Sequence, residues 1–124
     1  SNTYPDDNKQ VLDVQISNTI LDMMSEVVHS PDGTGKKASV SGYTVYGKTG
    51  TVRKIKNGEY NKNLHNALFI GILGDPKPKY VAAVIIREPQ DREGSGGFHA
   101  APVFREFLQH TMRILDDIRY AGTD

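Results

Sequence analysis

Apolar residues recur at helical spacing in two parts of the chain, one near each end. From Ile16 to Val28 they recur every three or four residues, which predicts a helix that Asp13 caps and that ends near His29, before Pro31. The stripe that should face the core comprises Ile16, Ile20, Leu21, Met24, Val27 and Val28.

The second helical pattern covers residues 100–118 and follows a polar, glycine-rich stretch, residues 90–97, that predicts a loop. Pro102 falls in the first predicted turn, where a missing backbone N–H costs no helical hydrogen bond. The side chains expected on the inward face are Phe104, Phe107, Leu108, Thr111, Leu115 and Ile118.

Between the helices, three segments rich in β-branched and aromatic residues predict an antiparallel meander. The first covers about residues 43–55 and leads into Asn57-Gly58, a strong signal for a type I′ hairpin turn. Residues 67–73 predict a second strand that is covered on both faces, because the run is almost continuously apolar. Residues 80–87 predict the third. The stretches predicted as loops or turns are residues 30–42 and 74–78, and a polar stretch, residues 61–65, precedes the second predicted strand.

These elements predict an α+β fold, with a three-stranded antiparallel sheet flanked by an N-terminal and a C-terminal helix. The 15 basic and 15 acidic side chains balance, so the charge gives no indication of nucleic acid as a partner. No apolar run approaches the roughly 18 residues of a membrane-spanning helix. The absence of cysteine excludes thiol nucleophiles, and the four histidines lack the spacing of metal ligands.

The chemistry of the chain is concentrated in Lys48-Thr49-Gly50-Thr51, inside the first predicted strand. Because side chains alternate along a strand, Thr49 and Thr51 should face one side and Lys48 and Gly50 the other. Two hydroxyls about 7 Å apart, beside an ammonium group, can hold a carboxylate. Gly50 leaves room for a ligand along the backbone. The tetrapeptide therefore predicts a binding wall that receives its reactive group from elsewhere.

Residues 42–49 also match the phosphate-loop pattern G-x-x-x-x-G-K-[ST]. That motif needs a tight loop followed by a helix that begins at the lysine. The interior residues, Tyr43 to Tyr46, favour extended backbone, and those that follow Lys48 are poor helix formers. A nucleotide-binding loop is therefore the remote alternative for this segment.

The tetrapeptide, on a strand followed by a hairpin, resembles the third signature of the penicillin-recognising serine acyl-transferases. Over residues 13–118 the chain looks like the transpeptidase domain of a class B penicillin-binding protein, and residues 59–62 are similar to the division-specific septal type of Gram-negative bacteria. The other matching segments are Gly33-Thr34-Gly35 with Ala38, Gly42-Tyr43, Gly47, residues 80–86, Glu88-Pro89, Gly96-Gly97 and residues 100–104.

The resemblance implies a role for each residue of the motif. Lys48 would join a proton network and attract the substrate carboxylate, which the hydroxyls of Thr49 and Thr51 would bind beside Gly50. The backbone N–H of Thr51 would be one of two oxyanion donors. The carboxylate would belong to a peptidoglycan stem peptide that ends in D-Ala-D-Ala, or to a β-lactam that mimics it. No cofactor and no metal are expected.

The family's nucleophile motif S-x-x-K and its second motif S-x-N are both missing from the 124 residues. Residues 1–124 are therefore expected to be a C-terminal fragment of the domain, inactive alone, with apolar surface that associates or packs against the missing N-terminal part. The parent would face the periplasm from the bacterial inner membrane and contact other divisome proteins. The alternatives are a β-lactam sensor or D,D-carboxypeptidase of the same fold, and a non-catalytic interaction module.

Overall fold

The computed structural model describes residues 9–74, 77–90 and 95–122. Residues 1–12 are polar and predict a loose lead-in, and residues 1–8 of it lie outside this part of the chain, as do the turn residues Asp75 and Pro76 and the loop residues 91–94. The predicted α+β architecture is confirmed. The elements are α1 (Val14–His29), a short 3-10 turn (Lys36–Ala38), β1 (Thr44–Lys56), β2 (Glu59–Gly74), β3 (Pro78–Arg87) and α2 (Gly96–Ala121).

The three strands form an antiparallel sheet in the order β1-β2-β3. The hairpin prediction is confirmed, because Asn57 and Gly58 have φ angles of 56° and 81°, as a type I′ turn requires. The predicted start of the second strand at residue 67 is wrong, since β2 already begins at Glu59 and includes the polar stretch 61–65. A two-residue turn places Lys56 directly opposite Glu59, so the polar residues after the turn pair with β1.

Both helices pack on one face of the sheet. Val45 of β1 and Phe69 of β2 are fully buried there, and the Phe69 ring meets the Phe104 ring of α2 edge to face at a centroid distance of 4.9 Å. Gly71 makes this contact possible, because a Cβ at that position would lie 2.4 Å from the Phe104 ring. The core comprises Val28, Ala38, Val40, Val45, Phe69, Leu73, Ala100, Ala101, Phe104, Leu108 and Met112.

The boundaries predicted for α1 are confirmed, and Asp13 caps the helix by accepting a 2.7 Å hydrogen bond from the N–H of Gln15. The predicted burial of its stripe is confirmed in part: Val28 is buried and Leu21, Met24 and Val27 are half-buried, whereas Ile16 and Ile20 are exposed. The end of α1 is the part that reaches the sheet, where Val28 lies against Gly47.

The segment predicted as an irregular loop, residues 30–42, is more ordered than its composition indicates. It contains the 3-10 turn and contributes Ala38 and Val40 to the core. Gly35 is buried as well, and its N–H donates to the carbonyl of Val27 at 2.8 Å. The loop therefore bridges the end of α1 and the face of the sheet.

Helix α2 begins at Gly96, four residues before the predicted start, so Pro102 lies beyond the first turn. The prediction failed because two consecutive glycines argue against a helix start when only intrinsic propensity is considered. The inward face of α2 agrees with the prediction only in part. Phe104 and Leu108 are buried as expected, whereas Phe107 and Ile118 are exposed and Met112 takes a core position.

The second face of the sheet is apolar and uncovered by the part of the chain that the structure describes. Ile70, Val81 and Ile85 are 47%, 71% and 58% exposed, and we call the surface they form the open face. Within these residues the cover predicted for both faces of β2 is present on one face, and the apolar surface expected of the chain is exposed on the other. No helix in the described ranges combines the length and apolar character needed to cross a membrane.

We expect the isolated 124-residue chain to self-associate through the open face, because burying these side chains releases about 25 cal/mol per Å² of apolar surface. The double variant Val81→Lys/Ile85→Lys should be monomeric at concentrations where the wild type associates. Ile114→Lys is the control, because Ile114 is 59% exposed on the outer side of α2. Sedimentation velocity measures the difference, and equal association of all three proteins would contradict the prediction.

Candidate carboxylate-binding site

Residues 48–51 lie in the middle of β1, which is an edge strand of the sheet that the described residues form. Thr49 pairs with Phe69 and Thr51 with Ala67, in a ladder that is continuous from Thr44 to Arg53. The strand runs without a break to Lys56, and no helix begins at Lys48. The phosphate-loop interpretation is therefore wrong.

The outward direction of the backbone amides in β1 follows from one hydrogen bond at its start. The N–H of Val45 donates to Nε2 of His29 at 3.2 Å, so this amide points away from β2. In an antiparallel pair, alternate residues direct their amides to the same edge. Because the ladder is continuous here, the N–H groups of Thr49 and Thr51 point to the same free edge.

The side chains of the tetrapeptide separate as the alternation predicts. Thr49 and Thr51 lie on the helix-covered face, opposite the buried residues Phe69 and Ala67 of β2, and Lys48 lies on the other face. The Lys48 ammonium nevertheless reaches the edge, because Nζ donates to the carbonyl of Thr49 at 2.7 Å. One side chain thus places a positive charge beside the outward amides.

Each threonine hydroxyl of the tetrapeptide contacts a residue outside β1. Oγ1 of Thr49 lies 3.0 Å from Oγ1 of Thr34, in the loop after α1. Oγ1 of Thr51 accepts a longer hydrogen bond, 3.4 Å, from the N–H of Gly96 in the first turn of α2. Two segments far apart in sequence therefore meet the two hydroxyls.

The first turn of α2 approaches β1 so closely that side chains are excluded. A Cβ on Gly96 would lie 2.5 Å from the carbonyl oxygen of Gly50, and one on Gly97 would lie 1.9 Å from that of Thr34. These distances are far below van der Waals contact. Glycine at both positions is therefore required for the helix, the loop and the strand to meet at this point.

The sequence did not assign roles to three residues that the structure brings to the site, namely Thr34, Gly96 and His29. Thr34 and Gly96 belong to glycine-flanked segments of the resemblance, and glycine between polar residues signals close backbone approach. No such signal marks His29, since its bond to Val45 depends on how α1 docks on the sheet.

Lys54, three residues after Thr51, forms an ion pair with Glu88 that connects β1 with the end of β3. The hydrogen bond from Lys54 and, next, its positive charge lower the pKa of Glu88 below its ordinary value. Glu88 has a φ angle of 49°, which is uncommon for a non-glycine residue, and its N–H donates to the carbonyl of His65 at 3.1 Å. These contacts anchor the chain where it leaves the sheet.

The fold described above is that of penicillin-binding-protein transpeptidase domains. The chain belongs to that family, whose model, described as the penicillin binding protein transpeptidase domain, matches residues 1–109. The match includes α1, the whole sheet with the tetrapeptide, and α2 as far as residue 109.

Individual relatives agree with this assignment. The chain is 36% identical over 107 residues to the protein named "Probable peptidoglycan D,D-transpeptidase PenA" of Neisseria flavescens, covering 86% of the chain and 26% of that protein. It is 34% identical over 108 residues to peptidoglycan D,D-transpeptidase FtsI of Buchnera aphidicola, covering 86% of the chain and 18% of the relative. The chain thus spans about a fifth to a quarter of the length of these relatives.

A solved structure shows the same fold. Penicillin binding protein 3 from Mycobacterium tuberculosis, complexed with aztreonam, superposes with a TM-score of 0.71 at 31% sequence identity. The superposition covers 86% of this chain and 25% of the other. The two helices and the three-stranded sheet therefore correspond to part of a larger penicillin-binding-protein structure.

We expect Glu88→Gln to lower the melting temperature at neutral pH and to have no effect in acid. Because the pKa of Glu88 is lowered in the folded state, its ion pair stabilises the fold above the ordinary glutamate range, about pH 4.3. That contribution is lost as the pH falls through the lowered pKa. Thermal unfolding as a function of pH measures the effect.

Glu106→Gln, on the exposed surface of α2, is the matched control for Glu88→Gln. Lys54→Met should reproduce the pH dependence of Glu88→Gln, and the double variant should be no less stable than either single variant. A loss of stability in Glu88→Gln that is the same at all pH values would contradict the ion-pair explanation.

Proposed function

We propose that the chain forms the C-terminal part of the catalytic domain of a class B peptidoglycan D,D-transpeptidase. In this proposal residues 48–51 bind the terminal carboxylate of the substrate and stabilise the oxyanion of the reaction. The observation that carries it is the free edge of β1, where the amides of Thr49 and Thr51 point outward beside the Lys48 ammonium.

An extended peptide can add to this edge as a further strand, with backbone hydrogen bonds to the outward amides. Its terminal carboxylate would accept hydrogen bonds from the hydroxyls of Thr49 and Thr51, next to the charge of Lys48. A hydrogen bond to a charged group contributes about 1.5–3 kcal/mol. Gly50, which has no side chain, leaves the strand accessible between the two hydroxyls.

The backbone N–H of Thr51 is the proposed oxyanion donor of this wall. Its direction is fixed by the strand before substrate binds, so the donor requires no reorganisation when negative charge develops on the carbonyl oxygen. A single donor of this kind contributes about 2.7–4 kcal/mol to the transition state. The serine nucleophile, the lysine that activates it and the second donor would come from the rest of the protein, by a serine acyl-enzyme route.

The comparisons support the wider setting of the proposal. Relatives named as peptidoglycan D,D-transpeptidases make the stem peptide the proposed substrate. The complex of a similar structure with aztreonam makes β-lactams the proposed inhibitors. The likeness to FtsI, together with residues 59–62, favours the division-specific type, acting in the periplasm at the inner membrane with other divisome proteins.

We expect the isolated chain to remain unlabelled by a fluorescent penicillin, because its sequence lacks the S-x-x-K nucleophile motif. The full-length protein that contains it should be labelled covalently. In-gel fluorescence followed by peptide mapping measures both. A labelled serine within these 124 residues would contradict the fragment's inactivity.

An unlabelled full-length protein would contradict the transpeptidase proposal and favour a non-catalytic interaction module. Labelling alone does not separate a transpeptidase from a β-lactam sensor or a D,D-carboxypeptidase. A second assay therefore supplies a stem peptide that ends in D-Ala-D-Ala together with an acceptor amine. The cross-linked product identifies transpeptidation, and release of D-alanine without that product identifies carboxypeptidase activity.

We expect Thr51→Val in the full-length protein to slow acylation by a penicillin roughly 10- to 150-fold, the loss of one charge-assisted hydrogen bond. Valine keeps the backbone N–H, so the variant tests the hydroxyl separately from the oxyanion donor. Val52→Ala is the control, since the Val52 side chain is exposed and lies on the opposite face. Equal acylation rates in wild type and Thr51→Val would contradict the assigned role.

A further inference from the structure

The hydroxyl pair Thr34–Thr49 is a contact between two side chains that are 15 residues apart in sequence. The distance between the two Oγ1 atoms is 3.0 Å, a normal length for a hydrogen bond, and either hydroxyl can be the donor. Thr34 lies in the loop after α1 and Thr49 in the middle of β1. The proposed carboxylate-binding hydroxyl is thus connected to a segment outside the strand.

A threonine hydroxyl has one proton to donate and two lone pairs to accept with. An ionised carboxylate can only accept, so Thr49 must direct its single proton to a bound carboxylate. The lone pairs of Thr49 then remain available to Thr34, whose own proton can be donated to them. A bound carboxylate therefore selects one direction for the hydrogen bond between the two threonines.

We propose that Thr34 is a positioning residue for Thr49, a role that rests on the proposed carboxylate-binding function of Thr49. Thr34 donates its hydroxyl proton to Oγ1 of Thr49, which holds the Thr49 side chain in one rotamer with its proton directed to the substrate carboxylate. Hydrogen bonds in such a chain polarise one another, so the bond from Thr49 to the carboxylate is strengthened as well.

The backbone around Thr34 is fixed from three sides, as a positioning role requires. The N–H of Gly33 donates to the carbonyl of Ser30 at 3.0 Å, and that of Gly35 donates to the carbonyl of Val27 at 2.8 Å. On the third side Gly97 of α2 lies against the carbonyl of Thr34, with no space for a Cβ. The hydroxyl of Thr34 is therefore presented to Thr49 from a rigid support, although its side chain is exposed.

The hydroxyl of Thr51 contacts a backbone N–H, whereas that of Thr49 contacts a side chain. Gly96 supplies a backbone N–H to Oγ1 of Thr51, so the Thr51 oxygen accepts and its proton is available to a ligand. A backbone donor cannot be removed by substitution of a side chain. Thr34 is the orienting group that a single isosteric change can delete, which makes its role directly testable.

The test uses the full-length protein that contains this chain and two ligands, a penicillin with a free carboxylate and its methyl ester. Thr34→Val removes the hydroxyl while keeping the shape of the side chain, and Thr34→Ser keeps the hydroxyl. Thr49→Val and the double variant Thr34→Val/Thr49→Val complete the set. The measured quantity is the second-order rate constant of acylation, and thermal unfolding of each variant verifies its fold.

We expect Thr34→Val to slow acylation by the free penicillin roughly two- to tenfold, the effect of one neutral hydrogen bond. Thr34→Ser should retain the wild-type rate, and Thr34→Val should slow acylation by the methyl ester less, because an uncharged ester carbonyl accepts a weaker hydrogen bond than a carboxylate. The double variant should be no slower than Thr49→Val alone, because Thr34 acts through Thr49.

Other results would overturn the inference. Equal slowing with both ligands would show that Thr34 only supports the structure, and additive effects in the double variant would show that it does not act through Thr49. A wild-type rate in Thr34→Val, with Thr49→Val slow, would overturn the role of Thr34 and leave the proposed function intact. A wild-type rate in Thr49→Val would overturn the carboxylate role of Thr49 and the inference together.

Discussion

The close approach of the first turn of α2 to the middle of β1 is the constraint on which the rest of the structure depends. A Cβ on Gly96 would lie 2.1 Å from the carbonyl oxygen of Leu68 and 2.5 Å from that of Gly50, so backbone meets backbone. This contact sets where α2 starts and brings its N–H to Thr51. Farther along, the same helix places Phe104 on Phe69. The core and the site are therefore positioned by one helix.

Features governed by local chemistry could be predicted from the sequence. The cap at Asp13, the type I′ turn at Asn57-Gly58 and the alternation of Lys48 with its threonines each depend on a few neighbouring residues. The start of α2 could not be predicted, because glycine disfavours helices locally and is required at Gly96 by a tertiary contact. The start of β2 was missed for a related reason: pairing with β1 outweighs the polar composition of residues 61–65.

Part of the candidate site could be predicted from the sequence, because that part too depends only on neighbouring residues. The tetrapeptide is contiguous, so spacing alone places its hydroxyls and ammonium on a strand. The contacts of Thr49 with Thr34 and of Thr51 with Gly96 join residues separated by 15 and 45 positions. Such pairs depend on how the elements dock. Spacing along the chain carries no information about them.

The hydrogen bond between His29 and Val45 would limit how much of the β1 edge the proposed peptide ligand could use. The imidazole already occupies the outward amide of Val45, so an added strand meets an obstacle there. Backbone pairing with an added strand can then begin only at Gly47 and extend through Thr51 toward the end of β1. The His29 ring at the end of α1 would therefore fix the alignment of an incoming peptide, with the terminal group of the peptide held close to Thr49 and Thr51. A short recognition stretch of this kind suits a ligand that is read at its end rather than along its length.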